Sequence, residues 1–217
     1  MPLHVLDKKL WFPRVTEALP DGLLAIGGDL SVDRLMLAYQ QGIFPWFDGN
    51  VPMWWCPDPR FVLFPAELKV SKSMKTLLKR NTFEFTINKA FPQVIKACKE
   101  KERVAQDGTW ITNDVEKAYT ELHQLGYAHS AEVWLNNELA GGLYGVRIAN
   151  IFFGESMFSH VSNASKYAFI QYVDSLIKEG VELIDCQVYT EHLESLGAKM
   201  IARDEFLQKI KHLPWVE

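Results

Sequence analysis

From Phe61 onward the chain alternates between stretches with a two-residue apolar period and stretches with a helical one. That alternation limits the fold to one in which helices cover a sheet. Strands are predicted over Phe83–Ile87, His129–Leu135, Glu138–Val146, Asn150–Ser156 and Glu182–Val188. Helices are predicted over Ser71–Arg80, Phe91–Lys101, Asn113–Leu125, Asn163–Glu179, Thr190–Leu196 and Asp204–Lys211. Asn136-Asn137, between two of the strands, reads as a hairpin turn. The expected class is α/β, of the α+β kind.

The first sixty residues differ, being rich in Pro, Gly and Trp. One helix stands out, from about Ser31 to Gln41: Ser31 suits its N-cap, Asp33 the positive end of its dipole, and Gly42 the left-handed position after its last turn. Leu24-Ala-Ile-Gly-Gly-Asp-Leu30 and Trp54-Trp-Cys-Pro-Asp-Pro-Arg60 read as turn-rich loops. A small irregular N-terminal domain over residues 1–61 and a catalytic domain over 62–217 are therefore expected. Antiparallel strands followed by a helix and another strand suggest, by analogy, an acetyltransferase-like second domain.

Composition excludes several classes. The chain has 217 residues, 48% hydrophobic and 23% charged, enough for one substantial core. No apolar run approaches the roughly 20 residues of a membrane span, and Met1–Leu10 contains no apolar signal core, so a soluble cytoplasmic protein without a membrane partner is expected. Cys56, Cys98 and Cys186 are widely spaced and suggest neither a disulfide frame nor a zinc site. A net charge of -4 argues against a protein that grips nucleic acid over its whole surface. Any RNA contact must be local, and Lys69, Lys72, Lys75, Lys79 and Arg80 lie within twelve residues that contain no acid.

Four constellations could carry chemistry. Glu155 and Asp185 sit inside otherwise apolar strands, where a charge costs free energy unless it is paired or functional; a structural ion pair is the alternative. Tyr39, Trp46 and Trp110 lie near Gly and Pro and could stack on a nucleotide base, or could pack in the core. Lys72, Lys75 and Lys79 share a helix face that could contact phosphates, or could simply be solvated. Phe169, Tyr172 and Leu176 form an apolar row facing the strands of Leu143, Phe152 and Ile184, either as core or as the wall of a pocket.

ATP-binding, zinc-protease and serine-hydrolase motifs are absent, and the six histidines are scattered, so neither metal nor cofactor is expected. The turn with which acyl-CoA enzymes hold pyrophosphate is replaced by His160-Val-Ser-Asn-Ala-Ser165, which lacks glycine and suggests a different acyl carrier. An acyl-CoA-dependent N-acetyltransferase and a non-catalytic RNA-binding module remain alternatives.

Taken in order, several motifs resemble the leucyl/phenylalanyl-tRNA–protein transferase family. They are Gly22-Leu-Leu-Ala-Ile-Gly-Gly-Asp-Leu30, Tyr39-Gln-Gln-Gly-Ile-Phe-Pro-Trp46, Trp54-Trp-Cys-Pro-Asp-Pro-Arg60, Gly108-Thr-Trp-Ile111, Gly154-Glu-Ser-Met-Phe-Ser159 and Asp185-Cys-Gln-Val188. The resemblance implies a monomer that moves Leu, Phe or less often Met from aminoacyl-tRNA to proteins beginning with Arg or Lys, marking them for N-end-rule degradation. It assigns the terminal adenosine of tRNA to Tyr39, Trp46 and Trp110. The aminoacyl side chain falls to Leu143, Phe152, Met157, Phe169, Tyr172, Leu176 and Ile184, and the tRNA body to Lys72, Lys75, Lys79 and Arg80. No DNA partner is implied. For the chemistry, Asp185 is expected to orient and polarise Gln187, whose side-chain oxygen meets the attacking amine, while Glu155 attracts the cationic acceptor.

Overall fold

A computed structural model describes residues 3–101 and 111–214. The N-terminal segment is more regular than expected. β1 (His4–Leu6), β2 (Leu23–Gly27), β3 (Phe44–Pro45) and β4 (Met53–Trp55) form a four-stranded sheet in the order β1-β2-β4-β3, with α1 (Val32–Gln40) inserted between β2 and β3. Leu24 to Gly27 and Trp54-Trp55, read as parts of loops, are thus strand residues, because β2 and β4 pair with each other where local propensity alone is weak. The cap residues of α1 behave as expected: Ser31 Oγ accepts from the Arg34 N–H at 3.4 Å, and Gly42 closes the helix at φ +75°.

The remaining strands make one seven-stranded sheet, order β11-β5-β10-β9-β8-β7-β6. In chain order its elements are β5 (Arg60–Leu63), α2 (Lys72–Lys79), β6 (Glu84–Ile87), α3 (Phe91–Glu100), α4 (Asn113–Gln124), β7 (Ala128–Leu135), β8 (Glu138–Ile148), β9 (Ile151–Ser159), α5 (Ala164–Lys178), β10 (Leu183–Gln187), α6 (Glu191–Glu194), β11 (Lys199–Ile201) and α7 (Arg203–Ile210). Every helix and strand expected after Phe83 is present to within a few residues, and Asn136 and Asn137 turn the β7–β8 hairpin at φ +53° and +64°. The short strands β5 and β11 were not foreseen. The mixed α/β class holds, with antiparallel β7–β8–β9, a crossover through α5, and β10 parallel to β9.

Successive residues of a strand face opposite sides, and both sides of this sheet are covered. Phe152, Leu143 and Ile184 pack beneath α5 and α2. Phe153, Tyr144 and Val146 face a second apolar cluster built from α3, α4, α7 and the N-terminal sheet. That cluster runs from Leu24 and Trp54 through Val94 and Tyr119 to Phe206, so the two sheets are bound through one shared core. Among the described residues, no helix is long and apolar enough to cross a membrane.

Candidate active site

Two adjacent strands lose their regularity at the same level. On β9, Gly154 faces Gly145 and Ser156 faces Tyr144 of β8, leaving Glu155 as the extra residue of a bulge. On β10, Asp185 faces Val62 and Gln187 faces Phe61 of β5, leaving Cys186 extra. The parallel ladder between β9 and β10 ends where Phe153 meets Asp185. Bulges bend strands and re-aim side chains, and these two open a gap between neighbours that would otherwise pair. A Cβ at Gly145 would lie 2.2 Å from the Phe153 carbonyl oxygen, so the bulged crossing requires glycine there.

Residues of both bulges line a cavity of about 580 Å³ with unlike ends. Leu143, Phe152, Met157, Phe169 and Ile184 line its apolar end, and Glu155, Asp185 and Gln187 its polar end. Tyr172 and Leu176 were expected in the apolar lining and are not part of it. Both are buried behind it, Tyr172 meeting Phe152 edge-on at 5.1 Å, because the helical row places only its first member at the wall.

At the polar end Glu155 is surrounded by donors. Its Oε1 accepts from the Tyr39 hydroxyl at 2.7 Å and from Gln187 Nε2 at 3.0 Å, and its Oε2 from the Tyr119 hydroxyl at 3.0 Å. Burial pushes its carboxyl up from 4.5 to about 7; hydrogen bonds from both tyrosines oppose that rise. Desolvation and the neighbouring Glu155 charge hold both phenols well above the usual tyrosine range, so each remains a donor. Because Gln187 donates through Nε2, its Oε1 is the amide atom left to accept.

Asp185 has no exposed surface and meets Arg60 through two hydrogen bonds, Nε to Oδ1 at 2.8 Å and Nη2 to Oδ2 at 2.6 Å. Its Oδ1 also accepts the Gln187 backbone N–H at 2.9 Å, and Gln187 takes φ +64°, a left-handed conformation that non-glycine residues seldom adopt. The expected polarisation of the Gln187 side chain by Asp185 is thereby corrected: Asp185 holds the main chain of Gln187, and Glu155 holds its amide. Burial opposes the Arg60 charge, yet the Asp185 carboxylate beside it leaves its pKa raised. The guanidinium carbon lies 4.6 Å from the ring centres of both Phe44 and Phe206. Breaking such a pair by removing one partner costs about 3–5 kcal/mol.

The remaining expectations divide. Tyr39 belongs to α1 and is wholly buried, its ring 5.0 Å from Phe153, so it presents no face to a base and acts on the site through its hydroxyl. Trp46 is 36% exposed and lines the cavity. Trp110 lies outside the described residues. Lys72, Lys75 and Lys79 are exposed on α2 and Arg80 at its C-cap, none of them lining the cavity, with Met74 turned inward. Among the described residues, no cluster of His, Cys, Asp or Glu could hold a metal ion.

Arg60 and Tyr119 were missed. Arg60 heads an otherwise apolar run, Phe61-Val-Leu63, and an isolated charge at that place is the signal that could have found it. Tyr119 sits in the apolar row of α4 with Val115 and Leu122, where nothing distinguishes a functional hydroxyl from core.

Comparison with known proteins is unambiguous at the level of family. A model described as leucyl/phenylalanyl-tRNA protein transferase matches residues 62–211, and a model of that family's N-terminal domain matches residues 28–58. A leucyl/phenylalanyl-tRNA–protein transferase of Syntrophobacter fumaroxidans is 53% identical over 208 residues, covering 95% of this chain and 89% of that one. One from Flavobacterium psychrophilum is 53% identical over 210 residues, covering 96% and 100%. Among solved structures, a GCN5-related N-acetyltransferase from Kribbella flavida superposes at a TM-score of 0.40 with 8% identity, over 76% of this chain and 58% of that one.

Proposed function

The chain belongs to the leucyl/phenylalanyl-tRNA protein transferase family, and on that premise we propose how its cavity transfers an aminoacyl group from tRNA to a protein amino terminus. The observation that carries this reading is the joining of Glu155 and Gln187 at the polar end of a cavity whose other end is apolar. A Leu, Phe or Met side chain fills the apolar end against Leu143, Phe152, Met157, Phe169 and Ile184. Trp46, with Trp110, receives the terminal adenosine. Lys72, Lys75, Lys79 and Arg80 meet the phosphates of the tRNA body, where each cation displaces counterions. Residues 1–61 contribute Trp46 to the adenosine side of the site, and residues 62–217 supply Trp110 and the catalytic groups.

The ester of aminoacyl-tRNA is already activated, so the reaction needs an unprotonated amine held against its carbonyl and no ATP. The acceptor's α-amino nitrogen forms the new C–N bond, the C–O bond to the ribose breaks, and the proton given up by the amine ends on the ribose oxygen. An α-amino group has a pKa of roughly 7.7–8.0, so a modest acceptor of its proton suffices. The free Oε1 of Gln187 accepts a hydrogen bond from the amine, and Glu155 draws the terminal Arg or Lys of the acceptor. Asp185 acts through the backbone of Gln187. The protein works as a cytoplasmic monomer and marks its products for degradation.

The test uses radiolabelled Leu-tRNA and two peptides, one beginning with Arg and one with Ala. Label is expected in the Arg peptide alone; label in both would remove Glu155's part in selecting the acceptor, and label in neither would end the reading.

A further inference from the structure

We propose that Arg60 is a positioning residue of the transfer reaction, setting the conformation of Gln187 through Asp185 without touching substrate. The proposal rests on the reading of Gln187 as the group that meets the attacking amine. Arg60 is buried and is not part of the cavity wall. A buried ion pair adds little to stability alone, because an apolar group of the same volume usually serves as well. This pair, however, bonds directly to the backbone of Gln187, which flanks the Cys186 bulge.

The linkage is continuous and each joint is directional. The rings of Phe44 and Phe206 each lie 4.6 Å from the guanidinium carbon and restrict its movement. Its fork meets both carboxylate oxygens of Asp185, which fixes that carboxylate in rotation as well as position. The same Oδ1 then receives the Gln187 N–H, holding the left-handed backbone that delivers the Gln187 amide to Glu155. A lysine in place of Arg60 supplies the charge but no fork, and leaves Asp185 free to rotate.

The experiment is a cycle of Arg60→Lys, Asp185→Asn and the double variant, using preformed Leu-tRNA and an Arg-initiated peptide, with folding checked by circular dichroism. Arg60→Lys is expected to lower kcat about tenfold and to leave KM for Leu-tRNA within about twofold, the split that separates positioning from binding. In the Asp185→Asn background the same substitution is expected to change kcat less than about twofold, since an amide NH2 facing the Arg60 Nη2 donor has already broken the fork. A parental kcat in Arg60→Lys, or an equal loss in both backgrounds, overturns the proposal. Full transfer by Asp185→Asn would instead sink the underlying reading of the site, and the proposal with it. Should Arg60→Lys fail to fold, Phe206→Leu loosens the same clamp without removing a charge and carries the same expectations.

Discussion

Gln187 and Glu155 stand 32 residues apart in the chain and meet through a hydrogen bond of 3.0 Å, each at the bulge of its own strand. The bond commits one atom of the Gln187 amide and leaves the other facing a cavity. It also ties the donor of that bond to a carboxyl that titrates near neutrality.

That carboxyl predicts an exchange of stability for activity. With its folded pKa raised from 4.5 to about 7, Glu155 contributes stability that is complete below pH 4.5 and lost as pH rises through 7. Glu155→Gln keeps an oxygen for the tyrosines and removes the charge. At pH 8 the variant should unfold at a higher temperature than the parent, by an amount equivalent to at most on the order of 3 kcal/mol. At pH 4 the two should melt alike, while transfer to an Arg peptide falls at least about tenfold at pH 8. Thermal melts at the two pH values check the first claim and initial rates the second.

Tyr39→Phe and Tyr119→Phe each remove a donor that favours the ionised carboxylate. Losing it moves the Glu155 pKa further up, so the acid limb of the pH–rate profile should shift to higher pH in both variants by about half a unit or more. An unmoved limb would show that ionised Glu155 is not required for turnover.

The exposed lysines of α2 predict a salt effect separate from the chemistry. Replacing Lys72, Lys75 and Lys79 together by Ala should raise KM for Leu-tRNA and flatten its dependence on salt. On a log–log plot the slope should fall by about two to three, roughly one for each phosphate left without its lysine. At saturating tRNA, kcat should be unchanged.

Phe169 lines the cavity and Leu176, two turns further along α5, does not. Phe169→Ala should alter the ratio of Leu to Phe transferred from mixed charged tRNAs by up to about tenfold, the range one pocket side chain commands. Leu176→Ala should cost about 2–5 kcal/mol of stability and leave that ratio alone. Urea titration and product sequencing separate the two effects.

Much of this was legible in the sequence, for definite reasons. α1 announces itself through its caps and α5 through a repeated apolar face, and β7–β9 through alternation with Asn136-Asn137 between β7 and β8. Glu155 and Asp185 were visible because a charge is conspicuous in an apolar strand. What escaped was what pairing decides. β2 and β4 exist because their edges find each other, and β5 and β11 are too short to show a period. The bulges at Glu155 and Cys186 depend on which residue a neighbouring strand places opposite, and a single strand read alone carries no sign of that. Tyr39 was sought on a surface because it stands near Gly42, yet its helix turns it into the core.

The unlike ends of the cavity have a consequence for how many times a target can be processed. On the proposed reading, an acceptor enters with a cation beside Glu155 and leaves with an apolar residue as its new first position. It then lacks the charge that admitted it, and its terminus resembles the donor's side chain instead. With the site working as proposed, each target is extended by one residue and released, and the count is kept by the shape and charge of the binding site with no separate device for stopping.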